Sequence, residues 1–274
     1  MASILQQIVS ETRARLSAGV RPTRRRELEK MAANHKPRGF RKALLRADGN
    51  APAIIAELKK ASPSRGLIRD DFSVAELAPE MADAGAAALS VLTEEKHFQG
   101  GLENLRIASE RVTIPCLRKD FIVDEIQLLE ARACGGDAAL LIVAALTDAE
   151  LRTFSAAARN LELDILCEVH DEEELQRALG AGFDIIGVNN RDLRTFQVSL
   201  ETSIRLNARI PLDALRVAES GIHSGADVAR LRAIGYQAFL VGESLMRQPS
   251  PGDALRKLRA DAAQFARKHE VARQ

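Results

Sequence analysis

GAAALSV (residues 85–91), GDAALLI (136–142), GFDIIGV (182–188) and GYQAFLV (235–241) share one pattern. Each is a glycine, two variable residues, then an apolar run that ends in Val or Ile. Short apolar runs bounded by turn signals read as buried strands. Each follows a segment with helical spacing, such as Val74, Leu77, Ala78 and Met81 before Gly85. The glycine suits a left-handed helix stop, where a side chain would clash. Gly85, Gly136, Gly182 and Gly235 lie 51, 46 and 53 residues apart, too far for one strand–helix unit and right for two.

The intervening units are visible as well. Strands are expected at Ile54–Leu58, Ile114–Leu117, Ile165–Val169 and Arg216–Ala218. Ser73 with Glu76, Thr147 with Glu150 and Asp171 with Glu174 have the spacing of helix caps. The pattern predicts about eight alternating strands and helices over residues 53–268, hence a parallel sheet. Eight such units within about 250 residues favour an α/β fold with one closed (β/α)8 TIM barrel. An open doubly wound sheet is the alternative, although its usual GxGxxG turn is missing after the first strand. The barrel is expected over residues 46–274. Residues 1–45 form an N-terminal helical extension joined through Lys36-Pro37-Arg38-Gly39.

Composition narrows the function. Hydrophobic residues make up 46% and charged residues 28%, a globular balance. Lys+Arg 39 against Asp+Glu 38 leaves no basic excess for a nucleic-acid surface. No apolar run approaches the roughly 18 residues of a membrane span. The Arg-containing N-terminus could be a transit peptide, but Glu11 and the stripe Leu5, Ile8, Val9 and Leu16 favour a surface helix. Arg24-Arg25-Arg26 reads as a solvated helix face. Cys116, Cys134 and Cys167 form no even set and no CxxC pair, which fits a reducing, cytoplasmic setting. The five histidines have no metal-ligand spacing, so no metal is expected.

Active sites of this barrel lie at the C-terminal strand ends. Here those ends are polar: Glu57-Leu58-Lys59-Lys60, Leu117-Arg118-Lys119-Asp120-Phe121, Cys167-Glu168-Val169-His170, Val188-Asn189-Asn190-Arg191, Ala218-Glu219-Ser220-Gly221 and Val241-Gly242-Glu243-Ser244. Strand alternation puts Glu57 and Lys59 on one face with Leu58 on the other. By the same parity Lys119 and Glu168 point into the barrel, while Cys116 and Cys167 point toward the helices as small buried hydrophobes. His170 is placed opposite Glu168 and is expected to be a loop or supporting residue rather than a base. Ser220, Gly221, Gly242 and Glu243 suggest a phosphate cradle built from backbone N–H groups; ordinary glycine turns are the alternative.

IIAELKKASPSRG, LSVLTEEKHFQGG, IPCLRKDFIVDEIQ, IIGVNNRDL, VAESGI and VGESLM, in this order, resemble indole-3-glycerol phosphate synthase of tryptophan biosynthesis. The resemblance runs from about residue 40 to 265 and falls at every loop with candidate functional residues. It implies a cofactor-free ring closure, decarboxylation and dehydration of 1-(2-carboxyphenylamino)-1-deoxyribulose 5-phosphate. It implies Lys119 as general acid supported by Glu168, and Glu57 and Lys59 in proton transfer during dehydration. Asn189 and Glu219 complete the polar set. Arg191 and Ser62 orient the carboxylate, Phe98 and Phe121 pack the anthranilate ring, and Ser220, Gly221, Gly242 and Glu243 hold the phosphate. The division of acid duties between Lys59 and Lys119 stays open, as does the direction of the Lys119 pKa. Burial lowers a lysine and neighbouring carboxylates raise it.

The implied partner is this small phosphosugar–anthranilate molecule, with no nucleic acid and no membrane; association with other tryptophan-pathway enzymes is compatible with the family. Two other readings exist. Phosphoribosylanthranilate isomerase would use a Cys and an Asp, where these strand ends carry Glu57, Lys59 and Asn189. A non-catalytic phosphosugar-binding barrel would have no need of Lys119 with Glu168.

Overall fold

Alternate side chains of a strand face opposite ways, and in the computed structural model both directions are filled. The structure describes residues 3–17, 22–46 and 51–271. Eight parallel strands close a barrel: β1 Ala53–Leu58, β2 Ala88–Leu92, β3 Cys116–Lys119, β4 Ala138–Ile142, β5 Asp164–Val169, β6 Ile185–Asn189, β7 Leu215–Glu219 and β8 Ala238–Val241. Each pairs with its sequence neighbours, and β1 pairs with β8 to close the ring. The expected TIM barrel is therefore the fold, and the open sheet is excluded.

Parity divides the interior into two cores. Ile55, Leu117, Leu140, Leu166, Val217 and Leu240 fill the barrel. Leu58, Val91, Cys116, Cys167, Val188 and Phe239 face outward and pack under the helices. Those helices are α4 Val74–Asp83, α5 Leu102–Arg111, α6 Glu125–Ala133, α7 Asp148–Asn160, α8 Glu172–Gly180, α9 Glu201–Asn207, α10 Gly225–Arg232, the single turn α11 Glu243–Met246, and α12 Pro251–Val271. Three more helices precede β1: α1 Ile4–Leu16, α2 Pro22–Asn34 and α3 Phe40–Leu45.

Several local expectations shift. Gly85, Gly182 and Gly235 do take left-handed φ, but in the second repeat Gly135 takes it at φ 79 instead of Gly136. A Cβ on Gly136 would instead sit 2.8 Å from the Ala131 carbonyl. Thr147 forms a full capping box with Glu150, and Asp171 caps the Glu174 N–H, but Ser73 makes no side-chain cap. β3 starts two residues later than expected, at Cys116, and runs through Lys119. Arg24 and Arg25 stand exposed and pair with Glu27 and Glu29, as a solvated helix face should.

The base of the barrel is held from the N-terminal side. Phe40 and Leu44 of α3 join the inner core, and the Arg41 N–H donates to Asp164 at the start of β5. Leu28 and Ala32 of α2 pack on Ile126 and Leu129 of α6. Arg38 is an anchor as well as a joint. Its backbone N–H and Nε donate to the buried Asp137 at 2.7 and 2.9 Å, and its Nη groups reach the carbonyls of Ser109, Val112 and Gly135. Asp137 also accepts from the Cys116 N–H at 2.8 Å. Burial pushes this carboxyl up, yet the bonds from His35 and Arg38 outweigh it and hold its pKa below the ordinary value.

Losing one partner of a buried ion pair costs about 3–5 kcal/mol. Asp137→Ala is therefore expected to destabilise the fold by about 3 kcal/mol or more, measured by urea unfolding at pH 7. Because the folded pKa is depressed, the carboxylate's contribution is present above the unfolded-chain value and fades as the pH falls through the folded one. A loss of less than about 1 kcal/mol would mean that Asp137 is a bystander.

Candidate active site

A cavity of about 270 Å³ opens at the C-terminal strand ends. Every residue named as a site candidate lines it: Glu57, Lys59, Lys119, Glu168, Asn189 and Glu219, with Ser62, Phe98, Phe121, Arg191, Ser220, Gly221, Gly242 and Glu243. Lys119 and Glu219 end β3 and β7, and Glu57 and Glu168 stand one residue before the ends of β1 and β5. Alternate strands supply one layer of a TIM barrel, so these four side chains meet because of strand parity and register. Lys59 follows on the same face and pairs with Glu57.

Lys119 Nζ is 2.9 Å from Glu168 Oε2 and 3.1 Å from Glu219 Oε2. Glu57, Glu168 and Glu219 are 3%, 2% and 1% exposed, so little water screens them. Burial alone would lower the Lys119 pKa, but Glu168, Glu219 and Glu57 together outweigh it and raise it above the ordinary value. That answers the direction left open by the sequence. The ammonium donates to both carboxylates, but their other surroundings differ. Burial pushes Glu168 up, but Lys119 and His170 hold it well below the usual carboxylate range. Glu219 shares the lysine but is raised to about 7, by burial and then by Glu168 and Glu57. Its Oε1 is buried with no hydrogen-bond partner among the described residues.

Two glycines make room for these carboxylates. A Cβ on Gly187 of β6 would lie 2.2 Å from Glu219 Oε1, and one on Gly242 would lie 2.6 Å from Glu57 Oε1. Gly187 was missed as a site residue, although an isolated glycine inside a strand is a signal of close approach. His170 needs correction. Residues 168 and 170 are two apart and so share a face, and His170 Nε2 lies 3.4 Å from Glu168 Oε1. Its Nδ1 lies 2.9 Å from Glu174 Oε2.

Around this layer the cavity changes character. Phe98 and Phe121 stand with ring centroids 6.0 Å apart. Phe121 is fixed by its N–H donating to Asp120 Oδ1 at 2.8 Å, while Asp120 Oδ2 accepts from Thr93 and the buried Arg118. Arg118 and Asp120 had not been singled out; they set the turn that carries Lys119 and Phe121. On the other side, Ser220 and Gly221 both have left-handed φ, 64 and 77. Asn190 Nδ2 holds that turn by donating to the Glu219 and Ser220 carbonyls. Ser244 Oγ donates to the Ile222 carbonyl, which joins the loops after β7 and β8. Glu243 turns its carboxylate to Arg65 at 3.2 Å, Arg247 at 3.2 Å and Arg191 at 3.8 Å. Arg191 thus leans toward the glycine-rich end of the cavity.

The N-terminal helix enters the site too. Ile4, Leu5 and Ile8 of α1 line the cavity. Glu11 pairs with Lys96 and His97 after β2, and Arg13 with Glu150 on α7. Of the stripe Leu5, Ile8, Val9 and Leu16 expected on a surface helix, Leu5 and Ile8 face the cavity. The thiols do not enter. Cys116 and Cys167 belong to the outer core, and burial raises the Cys116 thiol to about 12.

A family model described as indole-3-glycerol phosphate synthase matches residues 5–258. Proteins named indole-3-glycerol phosphate synthase are similar over nearly their whole length. The one from Koribacter versatilis is 59% identical over 258 residues, 94% of this chain and 99% of that one. The one from Acidithiobacillus ferrooxidans is 50% identical over 262 residues, again 94% and 99%. Among solved structures, 3-hexulose-6-phosphate synthase from Salmonella typhimurium superposes with a TM-score of 0.63 over 79% of this chain and 99% of that one. At 13% identity it shares the fold alone.

The two carboxylates beside Lys119 are expected to titrate far apart. Carbon-13 NMR of labelled glutamate should show one carboxyl titrating near pH 7, absent in Glu219→Gln, while Glu168 stays ionised well below that pH. Because the folded pKa of Glu219 is raised from 4.5 to about 7, stability should decline as the pH rises through that interval. Two carboxyls titrating together near 4.5 would refute the asymmetry.

Proposed function

The chain belongs to the indole-3-glycerol phosphate synthase family, and on that premise we propose that it closes the indole ring of 1-(2-carboxyphenylamino)-1-deoxyribulose 5-phosphate. It acts as a carbon–carbon lyase of tryptophan biosynthesis. The observation that carries the site assignment is the Lys119 ammonium held between Glu168 and Glu219 at the mouth of the barrel.

In the proposed reaction the ring carbon that bears the carboxylate attacks the ketone carbon. Lys119 gives its proton to the oxygen as that oxygen becomes an alkoxide, with Glu168 balancing the lysine. Carbon dioxide then leaves, and its bonding electrons restore the aromatic ring. Dehydration follows: a proton leaves the CH2 beside nitrogen, the new hydroxyl departs as water, and the indole double bond forms. Glu57 and Lys59, already paired, exchange the protons of this step. Asn189 fixes the rim by accepting from the Arg191 N–H at 3.0 Å.

Binding roles follow the character of the walls. Phe98 and Phe121 take the anthranilate ring. The buried hydroxyl of Ser62, which has no hydrogen-bond partner among the described residues, serves its carboxylate. Ser220, Gly221, Gly242 and Glu243 present backbone N–H groups to the phosphate, with the Glu243 carboxylate drawn aside by its arginines. Arg191 sits close enough to Glu243 to assist there as well as at the carboxylate. Residues 1–45 act as an extension of the barrel of residues 46–274 and supply one wall of the site through α1. The isomerase alternative would need a thiol in the cavity, and among the described residues no cysteine lines it.

The purified protein, with no added metal or cofactor, is expected to turn this substrate into a fluorescent indole product. Lys119→Ala should lower kcat by about 10²-fold or more, the usual size of a general-acid effect. Steady-state fluorescence assays of both proteins decide it. No product from folded wild type would end the reading, and an effect on KM alone would remove Lys119 from the acid role.

A further inference from the structure

The carboxylate that faces Lys119 from β5 has a second cation behind it, and no step proposed above uses that cation. Glu168 Oε2 accepts from Lys119 Nζ, and its Oε1 lies 3.4 Å from His170 Nε2, an ion-pair contact that falls outside hydrogen-bond geometry. The His170 ring is itself gripped from the far side: Glu174 Oε2 accepts from both its backbone N–H at 2.8 Å and its Nδ1 at 2.9 Å. Both ring nitrogens therefore face carboxylate oxygens, which only accept. A neutral imidazole would leave one nitrogen lone pair against a carboxylate. The doubly protonated ring is the species that fits, in a site only 14% exposed.

Glu219 has no such support. Its Oε2 shares Lys119, and its Oε1 is buried against Gly187 with no hydrogen-bond partner among the described residues. The two carboxylates share Lys119, but among the described residues only Glu168 has a second cation within ion-pair distance. We propose that His170 is a positioning residue. As an imidazolium anchored by Glu174, it fixes Glu168 as the permanent counter-charge of Lys119 and leaves Glu219 as the less firmly ionised carboxyl of the two. This rests on the indole-forming activity proposed above and adds to it which of the two carboxylates is fixed.

Electrostatics agree with the geometry. Burial would lower the His170 pKa, but Glu168 and Glu174 outweigh it and raise it to about 10. The charged groups that line a second cavity together with His170 and Glu174 are Asp171 on its own turn, Arg191, Asp192 and Arg194 after β6, and Arg205 on α9, of both signs. Among the described residues Glu168 forms ion pairs with Lys119 and His170 alone.

The test uses the whole chain and the indole-forming assay on wild type, His170→Gln and Glu174→Gln, with circular dichroism as the folding check. His170→Gln is expected to lower kcat by about 10-fold or more while KM stays within about twofold, the signature of a lost effect on the transition state. The acid limb of its kcat/KM profile should move up by about half a pH unit or more, because the carboxylates around Lys119 hold a proton more tightly without the imidazolium. Glu174→Gln leaves the ring in place and should move the limb the same way by less. Nitrogen-15 NMR of the wild-type protein should find the His170 ring doubly protonated at pH 8.

A neutral ring at pH 8 would overturn the proposal. So would a folded His170→Gln variant with unchanged kcat and acid limb. Should His170→Gln not fold, an unmoved limb in Glu174→Gln overturns it equally. Wild type without indole product would instead defeat the activity reading, and the ring's protonation would still be judged by NMR.

Discussion

One ammonium among three buried carboxylates is the constraint on which the site depends. Taking Glu57, Glu168 and Glu219 out of water is costly unless cations and hydrogen bonds meet them. Lys119 reaches two of them and Lys59 the third. The barrel makes this possible, since β1, β3, β5 and β7 each deliver one of these side chains to the same layer. Neighbouring strands answer with small residues. Gly187 leaves space for the Glu219 carboxylate, and Gly242 does so for Glu57. A polar layer this dense tolerates no extra methyl group at either place.

The two ends of the barrel carry different burdens. At the base, Arg38 and Asp137 join the segment before α3 to the starts of β3 and β4, and Phe40 closes the inner core. At the mouth the hydrogen bonds instead set angles. Asn190 holds the Ser220–Gly221 turn, and Arg118 with Asp120 holds the turn after β3. The left-handed φ of Ser220 is unusual for a residue with a side chain, and strain of that kind persists only where surrounding bonds enforce it.

Much of this was legible in the sequence because strand parity is strict. Alternation alone put Glu57, Lys59, Lys119 and Glu168 inside and Cys116 and Cys167 outside, and the two cores divide that way. The same rule, miscounted, misplaced His170, which shares the face of Glu168. Glycine spacing found the architecture but not which of Gly135 and Gly136 turns left-handed, since that depends on how tightly the Ala131 carbonyl approaches. The amphipathic stripe of α1 marks a helix correctly; that Leu5 and Ile8 pack at the cavity is a matter of tertiary placement, which no local pattern encodes. The pKa order of Glu168 and Glu219 was likewise out of reach. It depends on a histidine beside Glu168 and, at Glu219, on burial and the nearby Glu168 and Glu57 carboxylates, all brought together by closure of the sheet.

A lysine raised above its ordinary pKa looks badly chosen for an acid, because it holds its proton more firmly than free lysine does. On the proposed assignment the difficulty disappears when the acceptor is considered. The ketone oxygen is a weak base before the ring closes and becomes a strong one as the new carbon–carbon bond forms. An acid matched to that developing alkoxide should give up its proton late, and an ammonium stabilised by Glu168 does so. The carboxylates serve a second purpose. A neutral lysine amine beside a ketone is a nucleophile and would add to the carbon that the aromatic ring must reach. By holding Lys119 as an ammonium, Glu168 and Glu219 keep its nitrogen lone pair occupied, so the site can press a lysine against a ketone without forming a Schiff base.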